Sequence, residues 1–184
     1  MTTIISIKTP NKIVMAADGQ TTGGATPHTK HTIYDTKKKK IYCLCGGKLL
    51  VAFSGNAIPS LYLMEKIAEE FDKGKSLIDA AATTIIKLPD DPYRYRGENF
   101  YILAADKNHA LKIMKNSMYE SEDEILTIGS GGDFALVAAR ALLDHTNLAP
   151  EAVATEAVKI AGRYCATAND YVAIETLDRE GEKQ

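Results

Sequence analysis

Apolar residues recur along the chain with two different periods. The stretches TIISIK (3–8) and KIVMAA (12–17) are β-branched or apolar and flank TPN, a turn sequence, which predicts a strand pair. A polar segment follows, 19–40, rich in Gly and Thr and closing on the four lysines Lys37–Lys40; it predicts a loop or a small extension. KIYCLC (40–45) and LLVAF (49–53) make a second strand pair around Gly46 and Gly47. The period then becomes helical. Leu61, Met64, Ala68 and Phe71 share one face, with Gly74 past the end; Leu77, Ala81, Ile85 and Leu88 share another, over 76–88. After a loop at 89–99, strands return at FYILAA (100–105), ALKIMK (110–115) and EILTI (124–128). Two more helices carry Phe134, Val137, Ala138 and Ala141, and then, after Pro150, Val153, Ala157, Ile160 and Ala161. YVAIET (171–176) closes the pattern.

Strands, two helices, strands, two helices, strand is the order of an α+β protein, not of an alternating parallel α/β sheet. Two sheets packed face to face, with a helix pair outside each, bury every apolar face in this series. Neither a linker nor an internal repeat divides the chain, so residues 1–184 read as a single domain.

Composition narrows the function. At 184 residues and 45% hydrophobic content the chain is long enough for a real core. A net charge of −2 points to neither nucleic acid nor an anionic membrane as partner. No apolar run reaches the roughly 20 residues of a membrane span, and the first residues lack a secretory pattern, so the expected location is the cytoplasm. Three cysteines, Cys43, Cys45 and Cys165, make no disulfide framework, and Cys43 with Cys45 lacks a second pair for zinc.

The candidate chemistry starts at Thr2. Methionine before a small residue is the usual situation for its excision, and removal of Met1 would leave Thr2 with a free α-amine beside its own hydroxyl. Such an amine titrates near ~7.7–8.0, so part of it is neutral at pH 7 and able to take the hydroxyl proton. This design needs a cation to hold the pKa values down, a carboxylate to fix the cation, and a donor for the oxyanion. Asp18 at the end of the second strand and Lys40 at the start of the third supply the charges. IGSGG (128–132) runs from a strand into a helix; its glycines allow a close backbone approach and the helix N-terminus favours an anion. An anion-binding enzyme built on Gly131 and Gly132 is the weaker use of that segment.

TTIISI, AADGQTT, KKIYCLCGGKLLVAFSG, IGSGGDFALVAARALL and AVKIAGRYC occur in the order, and nearly over the length, of the HslV-type threonine peptidases, relatives of the proteasome β subunits among the N-terminal nucleophile hydrolases. The chain resembles that family. The resemblance implies a four-layer αββα sandwich and two stacked rings of six or seven identical subunits, cutting peptide bonds of unfolded proteins inside a chamber. It implies Thr2 as nucleophile, Asp18 and Lys40 as its charged supports, Ser130 bonded to the Thr2 amine, and the backbone N–H of Ala52 at the oxyanion. It also implies a monovalent cation, usually sodium, on the carbonyls of Gly162, Cys165 and Ala168, and an ATP-driven unfoldase partner such as HslU. Three departures stand out. Segment 21–39 is longer than the family's, Ala52 replaces a glycine, and Ala168 replaces a threonine. The competing function is a homologous ring assembly without peptidase activity, serving as a binding or structural shell.

Overall fold

A computed structural model describes residues 2–23, 32–87, 100–115, 117–121 and 124–179. The TPN turn folds β1 (Ile4–Lys8) onto β2 (Lys12–Asp18), pairing Ile4 with Ala17 and Lys8 with Ile13. The polar segment contributes a two-stranded ribbon, β3 (Thr21–Gly23) with β4 (Thr32–Asp35). A 3-10 turn at Cys45–Gly47, left-handed at Gly46 and Gly47, joins β5 (Ile41–Leu44) to β6 (Leu49–Gly55). Helices α1 (Ala57–Asp72) and α2 (Leu77–Ile86) follow, capped by the Asn56 and Ser76 side chains. Then come β7 (Phe100–Ala105), β8 (Ala110–Met114), β9 (Ser117–Tyr119) and β10 (Ile125–Ile128). Helices α3 (Gly132–His145) and α4 (Pro150–Tyr164) and strand β11 (Val172–Asp178) complete the series. The loop expected at 89–99, and Leu88 before it, lie outside the described residues.

Two antiparallel sheets result, ordered β10-β1-β2-β11 and β5-β6-β7-β8-β9. Their inner faces share one core, in which Ile4, Met15 and Ala17 meet Ile41, Leu50 and Leu103. The alternate residues Ile5, Ile7, Val14 and Ala16 pack outward under α3 and α4. On the other sheet Leu49, Val51, Ile102 and Ile113 pack under Leu63 and Ile67 of α1 and Leu77 of α2. The architecture is the expected α+β, four-layer αββα sandwich. Burial on both faces explains why these strands read as continuous apolar runs instead of alternating ones. Among the described residues no helix is long and apolar enough to cross a membrane.

Two helix faces differ from the expectation. In α3 the inward residues are Gly132, Ala135 and Ala139, whereas Phe134 and Val137 are exposed, Val137 by 70%. In α1 Leu61 points outward, and Leu63 and Ile67 take the core. The reason in α3 is closeness. The helix lies on β1 and β10 and against Ala154, Ala157 and Ala161 of α4; its first turns make that contact with the small residues Gly132, Ala135 and Ala139, and Leu142 and Leu143 pack only at its far end. Phe134 and Val137 are left on the outside, so hydrophobic size picks the wrong side there. β9 was not expected, being three residues long and half-exposed.

The alanine contact is tight enough to test. Ala157, with no exposed surface, should not accept a larger side chain. Ala157→Leu is expected to cost about 1–3 kcal/mol through overpacking, read as a lower thermal midpoint.

Candidate active site

Three strand ends meet at one end of the sandwich. Thr2 and Thr3 precede β1, Asp18 closes β2, and Lys40 precedes β5. The β1–β2 register continues past Ile4, so the Asp18 N–H donates to the Thr3 carbonyl at 3.0 Å and the Thr3 N–H returns a 2.7 Å bond to Asp18 Oδ1. Ile41 is anchored in the core between the sheets, which holds Lys40 at the sandwich mouth. Its Nζ donates to the Thr2 hydroxyl, to Asp18 Oδ1 at 2.7 Å and to the Gln20 carbonyl at 2.6 Å. The Thr2 hydroxyl lies 3.4 Å from the same carboxylate oxygen, and the Gln20 N–H donates to Asp18 Oδ2 at 2.9 Å.

Asp18 is completely buried and Lys40 is 9% exposed. A buried carboxylate persists only when paired and bonded, and this one has the ammonium and two backbone N–H groups. Burial lowers the Lys40 pKa below its ordinary value, and the Asp18 charge and hydrogen bond pull partly the other way. The result is a cation held directly against a threonine hydroxyl.

The IGSGG segment does approach something closely, namely the amino-terminal segment itself. Gly129 has φ +88°, and a Cβ there would fall on the Thr2 carbonyl; a Cβ at Gly131 would fall on the Thr3 hydroxyl. The Gly131 N–H reaches the Thr2 carbonyl at 3.4 Å. These glycines seat Thr2. Ser130 lies on the wall beside Thr2, but its hydroxyl bonds Thr167 Oγ1 at 2.8 Å and accepts from Cys165 Sγ at 3.4 Å. Burial disfavours the Cys165 thiolate, yet hydrogen bonds from Ser130 and Thr167 outweigh it and hold the thiol pKa below its ordinary value. Asn169 ties the same loop to the site, accepting from the Gly19 N–H at 3.1 Å and donating to the Thr36 carbonyl at 2.8 Å. Gln20, Thr167 and Asn169 escaped the sequence reading: each is an ordinary polar loop residue with no local pattern to mark it.

Two cavities open on either side of Thr2. One, of about 200 Å³, is lined by Gln20, Thr21, Thr22, Lys40, Tyr42 and Phe53. The other, of about 660 Å³, is lined by Tyr101, Lys112, Thr127, Gly129, Ser130 and Asp133. Thr2, Ser54 and Gly55 belong to both walls. Ala52 does not. It is buried in the middle of β6, paired with Ile41 on one side and Leu103 on the other, so its backbone groups are absorbed by the sheet. The oxyanion position expected at Ala52 is therefore misplaced. Past Ala52, β5 has ended and β6 keeps only β7 as partner, which leaves one edge of Phe53–Gly55 open toward Thr2. Gly55, with φ +93°, was the available signal: a glycine in SGN at a strand end.

Gly162, in the last turn of α4, packs against the returning chain, where an added Cβ would lie 2.5 Å from the Asn169 carbonyl oxygen, and the Ala168 N–H bonds the Cys165 carbonyl at 3.1 Å. Gly162, Cys165 and Ala168 thus lie close together where α4 gives way to the loop before β11; their backbone carbonyls are the donor type a hard cation prefers. A carbonyl donor is indifferent to alanine replacing threonine. Among the described residues no cluster of His, Cys, Asp or Glu offers an alternative metal site.

Comparison with known proteins agrees with this geometry. A family profile described as "Proteasome subunit" matches residues 1–177. The chain is 39% identical over 179 residues to the "ATP-dependent protease subunit HslV" of Sulfurihydrogenibium sp. strain YO3AOP1, covering 96% of this chain and 97% of that one. It is 33% identical to the protein of the same name from Borreliella afzelii strain PKo, covering 97% of each. The fold superposes with a TM-score of 0.82 on the crystal structure of eukaryotic HslV from Trypanosoma brucei, at 25% identity, over 96% of this chain and 99% of that one. A threonine clamped between a buried lysine–aspartate pair and a glycine loop, on a sandwich matched over its whole length, makes this chain a member of the proteasome subunit family, with HslV proteins as its relatives.

Proposed function

We propose that the protein is a threonine-type endopeptidase that hydrolyses peptide bonds of unfolded proteins inside a self-compartmentalising double ring. The observation that carries this reading is Lys40 Nζ held against the Thr2 hydroxyl by a completely buried Asp18.

Once Met1 is removed, the Thr2 amine is the base. It takes the hydroxyl proton as Oγ1 attacks the substrate carbonyl carbon. The carbonyl oxygen becomes negative and is met by the open backbone edge at Ser54–Gly55. The ammonium then gives its proton to the departing nitrogen, the C–N bond breaks, and an ester remains on Thr2. Water attacks the ester, the amine again relays the proton, and the acid is released with Oγ1 restored. Lys40 favours the neutral amine and the developing alkoxide, and Asp18 keeps Lys40 in place. Ser130, bonded to Thr167 and Cys165, takes the role of hydrogen-bonding the freed amine that the family resemblance gives it. A monovalent cation, sodium by the family resemblance, would be held by the carbonyls of Gly162, Cys165 and Ala168, and would supply order to the loop that carries Thr167 and Asn169.

Assembly is supported by the outer face of α3. Phe134, Val137, Ala138, Ala141, Ile160 and Tyr164 line an apolar groove between α3 and α4, and Val137 and Tyr164 are 70% and 71% exposed. A second copy of the chain covering this groove, in rings of six or seven stacked in pairs, hides it from water and closes the chamber. The relatives are named ATP-dependent protease subunits, which supports an ATPase unfoldase of the HslU type as partner and the cytoplasm as the place of action.

Thr2→Ala is expected to abolish hydrolysis of fluorogenic peptides, by at least about 10³-fold, with assembly intact, while Thr2→Ser keeps part of it. Intact mass must show loss of one methionine; a particle that retains Met1 has its base locked in a peptide bond and returns the protein to the silent-shell reading. Lys40→Ala should cost about 10²–10³-fold in kcat/KM. It should also move the acid limb of the pH profile upward, because the cation that holds the Thr2 amine neutral at lower pH is gone. Lys40→Arg should not rescue, its forked donors being too large for the gap. An unmoved acid limb in Lys40→Ala contradicts the assigned role. Val137→Glu, placing a charge in the apolar groove, should lower the particle mass by light scattering without unfolding the subunit.

A further inference from the structure

The larger cavity beside Thr2 carries a residue that the sandwich does not need. In β8, Leu111 and Ile113 face the helices, while Ala110 joins the core between the sheets. Lys112 therefore stands on the inner face, beside Tyr101 and across the ladder from Tyr119 and Leu103. A lysine on an inner face costs desolvation unless it meets water-filled space, and Lys112 does so as part of the wall of the 660 Å³ cavity. Its ammonium lies 5.9 Å from the Tyr101 ring centroid and 5.8 Å from that of Tyr119, a pair of aromatic faces that fixes a cation in place. Among the described residues no carboxylate pairs with it. Asp133, the acidic group on the same wall, is exposed in the first turn of α3, where the helix N-terminus favours its charge.

The two cavities have different boundaries. The smaller one is edged by main chain, Thr21–Thr22 of β3 and the open side of Phe53–Gly55, which is what an extended peptide pairs with. The acyl side of a substrate fits there. The chain beyond the scissile bond must then leave on the opposite side of Thr2, into the cavity walled by Lys112.

We propose that Lys112 is a specificity-determining residue that selects peptides bearing a carboxylate side chain just C-terminal to the cleaved bond. This rests on the peptidase reading. The aromatic pair positions the ammonium, and the ammonium recognises an acidic leaving segment.

The test uses internally quenched peptides with one acyl-side sequence and Glu, Gln or Lys at the first two positions after the cleaved bond, assayed on the assembled particle. The readout is the ratio of kcat/KM for the Glu and Lys peptides within each protein, which is independent of the fraction of active sites. In the wild type it should be about fivefold in favour of Glu at low salt, the size of a half-exposed ion pair, and should fall toward one as salt approaches ~0.5 M. Lys112→Met should bring the ratio to one, and Lys112→Glu should invert it. A wild-type ratio of one, a ratio indifferent to salt, or one that survives Lys112→Met overturns the proposal. If Lys112→Met does not assemble, the salt dependence of the wild type decides. If no peptide is cleaved at all, the peptidase reading fails separately: fluorescence anisotropy of a labelled Glu-rich peptide on the Thr2→Ala particle then reports on the cavity. Tighter binding than its Lys-rich counterpart keeps the subsite, and equal binding removes it.

Discussion

The ion pair between Lys40 and Asp18 sets the terms for everything around it. Neither charge tolerates burial alone, and the desolvation is offset only if both are bonded in full. That requirement recruits the Thr3 and Gln20 N–H groups to the carboxylate, and the Gln20 carbonyl and Thr2 hydroxyl to the ammonium. The strand register, the ribbon that begins at Thr21 and the start of β5 are all fixed by partners of one pair. A shift of β1 against β2 by one residue would take the Thr3 N–H from Asp18 and strip the buried carboxylate of one of its two backbone donors.

The glycines of IGSGG solve a second constraint, one of volume. Thr2 must be held without being covered, because a substrate has to reach its hydroxyl from one side. The β10–α3 loop holds it by its carbonyl, and only residues without a Cβ let that loop come so near. The larger side chains near Thr2, Tyr42, Phe53 and Tyr101, stand on the flanking walls and shape the two cavities.

The sequence made the layers and the charged residues legible for a physical reason. Strands buried on both faces are apolar throughout, helices repeat every three to four residues, and Asp18 and Lys40 fall at strand ends, where side chains meet the sandwich mouth. What escaped depended on three-dimensional closeness. The inward side of α3 is made of alanines, so the exposed Phe134 and Val137 carried the stronger hydrophobic signal. Alignment by family pattern put the oxyanion donor at Ala52, the last residue of β6 that β5 covers, while the free backbone edge runs from Phe53 to Gly55. Thr167 and Asn169 reach the site through a loop whose path no periodicity records.

Thr3 gives its backbone N–H to the same carboxylate that holds Lys40, so the Thr2 hydroxyl has a cation beside it only in a closed sandwich. In a chain still emerging or misfolded, Asp18 and Lys40 are solvated and far from the amino terminus, and Thr2 is an ordinary threonine even after its methionine is gone. Destructive potential is thereby tied to conformational maturity.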